Sequence, residues 1–454
     1  MAISPEQWES VLLQLPREKP ALAEQYVLPP AGCAAEIERH IRRNAREMPK
    51  VLLVGARGGG KSSEMRQIER LLQKTGSFAI ASIDLDATGL HPGNLTAFDL
   101  LYVSCLSLLR GIPDKAEAER LYDALAAAYA GDKKSTLGTM TESVQGLADF
   151  ADSAAIVATM IGAGAKLAGV DIDPTAALAG GGVSVAGRVY KALKGIVLRE
   201  DRPGVVAESS PLGRGLLGVA VTIARARRVA EENKPVCVLI DGMEKMNGEA
   251  TERFRQIFEQ TRLLSEPPWC AVISSPPCTL AETNAAHANG FHVSPVWGFD
   301  PVDTSAAVEL VKKRFQSAMV DPEEAVAPEA LEEMARWSGG LPRDLVNIAH
   351  DAIDIAAVES APKLGIDHVR RAVERVSLPV RLGITDADLV VLRHVHEQHK
   401  LPGDDRGARL FGDGRILVRP PERDGDLPRF DVHPFLVRAV DRFAAQQAYA
   451  AAPG

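Results

Sequence analysis

Eight consecutive residues constrain this chain more than any others: Gly55-Ala56-Arg57-Gly58-Gly59-Gly60-Lys61-Ser62. The apolar run Val51–Gly55 precedes them, as expected of a buried parallel strand. Residues 62–75 follow, with Met65, Ile68, Leu71 and Leu72 at helical spacing. Strand, glycine loop and helix together fit G-x-x-x-x-G-K-[ST]. In that pattern the glycines let backbone N–H groups turn inward around phosphate oxygens. The helix presents its N-terminus, with its partial positive charge, to the same anion. Lys61 reaches the β- and γ-phosphates, and the Ser62 hydroxyl is placed for Mg²⁺. Gly55, Ala56, Arg57, Gly58, Gly59, Gly60, Lys61, Ser62 and Ser63 form the expected phosphate-binding set. A glycine-rich turn with a chance lysine would lack the flanking strand and helix.

Further candidates lie at strand ends and at one helix start. VCVLIDG (236–242) is an apolar strand closed by an acid, so Asp241 is the second Mg²⁺ candidate. Glu244 follows three residues later and could polarise an attacking water. The bland alternatives are a helix cap for Asp241 and a solvated carboxylate for Glu244. Asp84 and Asp86 also end a strand and read as caps or turns. Ser274 and Ser275 close the strand at 269–275, where a hydroxyl could bond a γ-phosphate or the attacking water, although strand-end serines are common. In Trp337-Ser338-Gly339-Gly340-Leu341-Pro342-Arg343-Asp344, glycines end one helix and proline opens the next. Arg343 then points from a helix start, where its guanidinium can pair with a phosphate as a fork. The alternative is a surface arginine on a capped helix. Arg314 is a weaker candidate for lid or intersubunit contacts.

Strands at 51–55, 78–86, 236–242, 269–275 and 291–296 alternate with helical segments, which predicts an α/β protein with a parallel sheet. The intervening helices are placed at 34–47, 62–75, 95–109 with Asn94 as N-cap, 114–130, 216–233 and 249–264. Residues 1–30 read as an N-terminal extension with a short apolar helix around Trp8–Leu15. Residues 31–300 form the nucleotide core, interrupted by an Ala/Gly-rich insertion at 131–210. Helices at 303–318, 328–337, 342–358 and 366–376 make a lid over 301–380. After Pro379 the texture changes, and 381–454 reads as a small winged-helix-like unit. It has helices at 386–400 and 434–448 and a turn-and-strand pattern over 408–419.

GARGGGKS, VCVLIDGMEK, WCAVISSPP, WSGGLPRDL and the terminal GRILVRP with FDVHPF come in one order at family-like separations. In these segments the chain resembles AAA+/STAND-type P-loop ATPases, most of all the origin-recognition-like branch with a C-terminal winged helix. The resemblance covers roughly residues 25–440 apart from the insertion. It implies a sheet ordered 5-1-4-3-2, a lid carrying Arg343 as the second sensor, ATP and Mg²⁺ as cofactors, slow ATP hydrolysis and nucleotide-driven changes in assembly. One departure is Asp241-Gly242 where enzymes of the family often carry Asp-Glu. This is the STAND-like D-G-x-[DE] form, and it gives Glu244 the base role less directly. The insertion is the other departure.

Composition bears on partners. Lys plus Arg total 52 against 60 Asp plus Glu, a net charge of −8, so the whole protein is not a polybasic nucleic-acid binder. Residues 381–454 carry eleven basic and eleven acidic residues, which does not give the basic face a DNA reader needs. His433-Pro434 reads as a packing feature, and Arg225, Arg227 and Arg228 as a solvated basic cluster. The five scattered cysteines without C-x-x-C pairs suit a reducing cytoplasm. The apolar stretch 154–165 is too short for a membrane span. The expectation is an ATP-dependent molecular switch acting on a protein partner or on its own assembly as a nucleotide-dependent oligomer, in a role such as bacterial signalling or defence. The alternative is a DNA-binding replication or plasmid-type ATPase working through its winged helix. A third, weaker reading is a scaffold that binds nucleotide without turnover.

Overall fold

The computed structural model describes residues 3–16, 25–27, 32–85, 96–130, 211–243, 257, 262–275, 279, 283–300, 303–402, 404–421 and 428–450. The insertion at 131–210, Glu244, Asp86, Asn94, Cys278 and most of the expected helix 249–264 lie outside them.

The elements run α1 (Pro5–Leu13), α2 (Ala34–Arg43), β1 (Lys50–Gly55), α3 (Lys61–Thr75), β2 (Ala79–Asp84), α4 (Ala97–Leu109), α5 (Lys115–Ala130) and α6 (Pro211–Ala230). Next come β3 (Val236–Asp241), β4 (Cys270–Ser275), α7 (Thr283–Ala288), β5 (Phe291–Val296), α8 (Ser305–Ser317), α9 (Pro322–Ala325), α10 (Pro328–Trp337), α11 (Pro342–Val358) and α12 (Ile366–Arg381). The chain closes with α13 (Asp386–Gln398), α14 (Asp405–Gly412), β6 (Ile416–Arg419), β7 (Arg429–Val432) and α15 (Pro434–Ala450). Helix α4 is capped by Thr96, whose hydroxyl accepts from Asp99 N–H while Asp99 accepts from Thr96 N–H.

Strands β1 to β5 form one sheet in the order β2-β3-β4-β1-β5, every pairing parallel. Read from the other edge this is 5-1-4-3-2, the P-loop ATPase fold. Period-two alternation divides the strands between two cores. Leu52, Val54, Val238, Ile240 and Ile273 pack under α4, α5 and α6. Val51, Leu53, Cys237, Leu239, Cys270 and Val272 pack against α2 and α3. Burial on both faces explains why these strands read as unbroken apolar runs.

The lid helices α8 to α12 have their own core, and the N-terminal helix belongs to it. Trp8, Val11 and Leu15 are fully buried there. The Trp8 indole donates to Ala361 O at 3.3 Å and meets the Phe315 ring edge-on at 6.3 Å. The expected extension is therefore packed, because its apolar residues fall on one helical stripe. Helix α12 runs through Pro379 to Arg381, so the proline does not end it.

The last segment forms another core from α13, α14, the antiparallel β6–β7 ribbon and α15. Helix α14 corrects the reading of 408–419 as turn and strand alone: its first turn is capped by Asp404, which accepts from Gly407 N–H at 2.6 Å. Among the described residues no helix is long and apolar enough to cross a membrane.

Replacing Trp8 by Ala should destabilise the lid by about 3–5 kcal/mol, the usual loss for a large aromatic removed from a core. Urea denaturation followed by far-UV circular dichroism measures it; a loss below about 1 kcal/mol would mean that α1 is peripheral.

Candidate functional site

The loop between β1 and α3 turns through two left-handed glycines, Gly58 at φ 85° and Gly60 at φ 98°. Only glycine adopts this conformation without steric cost, so the sequence fixes the loop's shape. Gly59 N–H bonds back to Ala56 O at 3.0 Å, and α3 opens with Ser63 and Glu64 N–H bonded to Gly60 O. Lys61 is buried, and its ammonium donates to Gly55 O at 2.8 Å and Ala56 O at 3.0 Å. Gly55 lies against β5: a Cβ there would stand 2.7 Å from Val296 O. Arg57 is exposed, and Ser62 and Ser63 are half-buried on the first turn of α3.

Asp241 ends β3 in register with Asp84 of β2, two strands from β1 in the sheet. Its carboxylate accepts from Gly242 N–H at 3.0 Å. Ser274 and Ser275 are fully buried at the end of β4, paired in register with Leu53 and Val54 of β1. Ser274 Oγ accepts from Met243 N–H at 3.1 Å, and so fixes the turn after Asp241. Ser275 Oγ shares a 2.6 Å hydrogen bond with Thr279 Oγ1.

Arg343 reaches the loop from the start of α11, beside Leu341 and Pro342. Its N–H donates to Gly58 O at 3.2 Å. A Cβ on Gly58 would lie 2.8 Å from Arg343 Cβ and 3.3 Å from Arg343 Cδ, so the arginine stem lies on the glycine. Pro342 at the start of α11 supplies the turn that delivers it. The structure thus brings Lys61, the loop and Arg343 together, and sets Asp241, Ser274 and Ser275 at neighbouring strand ends.

The Lys61 ammonium, backbone amides of a glycine loop and the Arg343 guanidinium are groups suited to phosphate oxygens. The Ser62 hydroxyl and Asp241 carboxylate are hard oxygen donors of the kind Mg²⁺ takes. The donor set fits a magnesium nucleotide.

Of the two contacts expected of Arg314, the structure gives the one within the lid, to the N-terminal segment packed on it. Arg314 is buried, donates to Gln14 O at 2.9 Å and also bonds Gln25 Oε1. Arg227 departs from the solvated cluster: it is 9% exposed, lies against Gly111 and pairs with Glu231 at 3.0 Å.

Several residues at the site were not singled out by sequence. Glu64 is buried on α3 and accepts from Tyr26 OH at 2.5 Å and Ala34 N–H at 2.8 Å. Its signal was present, because it lies on the same helical stripe as Lys61, Met65, Ile68 and Leu72. Burial and the Glu64 carboxylate push the Tyr26 hydroxyl well above its ordinary pKa, so it donates throughout the physiological range. The C-terminal ribbon is the other surprise: Leu417 of β6 forms a small apolar cluster with Ala56 of the loop and Leu341.

No family model matches the sequence, and no curated protein is similar to it. Solved structures are similar in fold. The Aeropyrum pernix ORC2 protein, in ADPNP–ADP complexes, is 12% identical, with 96% of this chain and 98% of that chain covered and a TM-score of 0.41. The Walker-type ATPase PABY2304 of Pyrococcus abyssi is 14% identical, covers 92% and 99%, and has a TM-score of 0.43. The Aeropyrum pernix ORC1 protein in complex with DNA is 14% identical, covers 97% and 98%, and scores 0.37.

Gly58→Ala should destabilise the unliganded protein by about 1–2 kcal/mol, the cost of a left-handed non-glycine residue. It should also push α11 away from the loop. Calorimetry and hydrogen exchange at 341–346 read the two effects; wild-type behaviour in both would show that the contact is dispensable.

Proposed function

We propose that this chain is an ATP-binding and ATP-hydrolysing molecular switch, whose nucleotide state sets the position of its C-terminal domain and thereby its assembly or its binding of a protein partner. One observation carries the reading: adjacent residues at the start of α11 touch both ends of such a switch. Arg343 bonds the phosphate loop through Gly58. Asp344 accepts from His433 Nε2 at 2.9 Å, and His433 is 1% exposed in the C-terminal domain. Phe435 N–H donates to His433 Nδ1 at 3.2 Å, which leaves Nε2 as the protonated nitrogen.

The roles follow the chemistry. The amides of Gly58, Gly59 and Gly60 and the Lys61 ammonium bind phosphates. Ser62 and Asp241 hold Mg²⁺, which when bound neutralises charge on the terminal phosphates. Glu244 takes a proton from the attacking water, Ser275 or Ser274 contacts the γ-phosphate, and Arg343 reports it to the lid. The C-terminal unit of α13, α14, β6, β7 and α15 is read as a winged helix. Signalling or defence is a setting that a slow switch would suit.

The DNA-binding reading has one observation in its favour. A groove of about 530 Å³ between α10, α12 and α15 is lined by Arg370, Arg381, Arg438 and Arg442. Glu333 and Glu374 line the same groove, and Arg438 covers the Trp337 ring at 5.7 Å. Carboxylates among the arginines and an occupied aromatic face favour a protein surface over a phosphate backbone with stacked bases.

Lys61→Ala should cost at least about tenfold in ATP affinity, since charge-assisted contacts contribute roughly 1.5–3 kcal/mol. Equilibrium dialysis decides this, and undiminished binding would refute the assignment. Glu244→Gln should still bind ATP while turnover falls by about a hundredfold or more. Phosphate release at the wild-type rate would move the base elsewhere.

A further inference from the structure

The turn before the strand that approaches the loop from the C-terminal domain holds a buried guanidinium nitrogen with no hydrogen-bond partner among the described residues. β6 alternates with period two. Ile416 and Val418 enter the C-terminal core, whereas Leu417 joins Ala56 and Leu341. Arg419, on the Leu417 side, places Nη1 3.0 Å from where a Cβ on Gly340 would stand. Leu417 and Arg419 are thus turned to the loop and the start of α11, and Arg415 lies in the turn that leads into the strand. At the head of the strand the approach is close: a Cβ on Gly414 would lie 3.9 Å from Arg57 O.

Arg415 follows Gly414 in this turn. Its backbone is fixed on both sides, with N–H donating to Leu410 O at 2.9 Å and its carbonyl accepting from His433 N–H at 3.0 Å. Its Nη1 is buried and has no hydrogen-bond partner among the described residues. Neighbouring arginines are supplied with carboxylates: Arg406 and Arg409 with Asp388, and Arg419 and Arg429 with Asp431. A buried guanidinium nitrogen without an acceptor is costly, and such groups call for an explanation. An anion that arrives at this place would supply it, and a guanidinium is the side chain best shaped to fork onto phosphate oxygens.

We infer that Arg415 is a nucleotide-binding residue: its guanidinium hydrogen-bonds the terminal phosphates of the nucleotide held by the Gly55–Ser62 loop. The inference rests on the proposed ATP site and assigns it a contact from the C-terminal domain. It also gives the switch a direct line, because the turn that holds Arg415 is bonded through His433 N–H to the segment that meets Asp344. Bound phosphate then draws β6 onto the loop, and its loss frees this turn.

The test uses the full chain with Arg415→Met, which keeps the stem and removes the charge, and Arg415→Lys, which keeps the charge and removes the fork. ATP and ADP affinities are measured by calorimetric titration, and thermal midpoints with and without saturating ADP. Arg415→Met is expected to lower ATP and ADP affinity roughly ten- to a hundredfold. It should also leave the nucleotide-free midpoint unchanged or raised, since it removes a buried guanidinium nitrogen that has no acceptor among the described residues. Arg415→Lys is expected to fall between the wild type and Arg415→Met in affinity. Unchanged affinity in both variants overturns the inference, and so does a lowered midpoint without nucleotide, which marks a packing role. Should Arg415→Met fail to fold, Arg415→Lys decides by the same two readings. Wild-type protein that binds neither nucleotide would instead sink the ATP-site reading, whereas wild-type binding with insensitive variants sinks this inference alone.

Discussion

The packing of one helix start on one glycine governs the arrangement. Gly58 has no side chain and a left-handed backbone, so the first turn of α11 can lie on the phosphate loop with Arg343 N–H bonded to Gly58 O. Any side chain at this glycine would enter the Arg343 stem. Around this contact the sheet core, the lid and the C-terminal domain meet, and the Ala56, Leu341 and Leu417 cluster has one member from each. The close approach recurs on the other side of the hinge, where a Cβ on Gly339 would strike Pro434 Cδ and Leu417 Cδ1 within 2.8 Å. The glycines of WSGGLPR end a helix and also make room for the C-terminal domain.

A second tie joins lid and core through the N-terminal segment. Tyr26 OH donates to Glu64 on α3, and Tyr26 O accepts from Lys313 on α8 at 2.9 Å. Gln25 accepts from Arg314, which also holds Gln14 O beside α1. The helix that follows the loop is therefore tied to the lid through Glu64 and Tyr26, and the loop itself through Arg343 of α11. Two separated attachments restrict a lid to a hinge-like motion better than one would. Nucleotide bound at the loop acts close to both.

The parts of this fold legible in sequence were those with a local cause. Parallel strands buried on both faces show as apolar runs, and the loop shows because its glycines and lysine are dictated by backbone shape and charge. What stayed hidden depends on distant contacts. Trp8 reads as part of a short apolar helix, but only the fold shows that its cavity lies beside Phe315 and Ala361. Arg227 reads as a surface charge, yet Gly111 leaves a space that its guanidinium fills. Arg314 reads as a lid or intersubunit candidate, but only the fold shows that Gln14 and Gln25, from three hundred residues upstream in round terms, lie against it. His433, read as a packing feature, is indeed buried, whereas nothing near Arg415 in the chain announces that β6 lies over the Gly55–Ser62 loop. Glu244 lies outside the described residues, so its role rests on its spacing from Asp241.

In the proposed switch, nucleotide at the loop moves the C-terminal domain by way of α11. The direct measurement is the distance between Lys74 at the exposed end of α3 and Gln446 on α15, each carrying one member of a spectroscopic pair. It should be recorded without nucleotide, with ADP and with ATP. The expected result is a distance distribution that changes on adding ATP in the wild type and stays fixed in Lys61→Ala. Identical distributions in all three states, from protein shown in the same samples to be saturated with ATP, would contradict it.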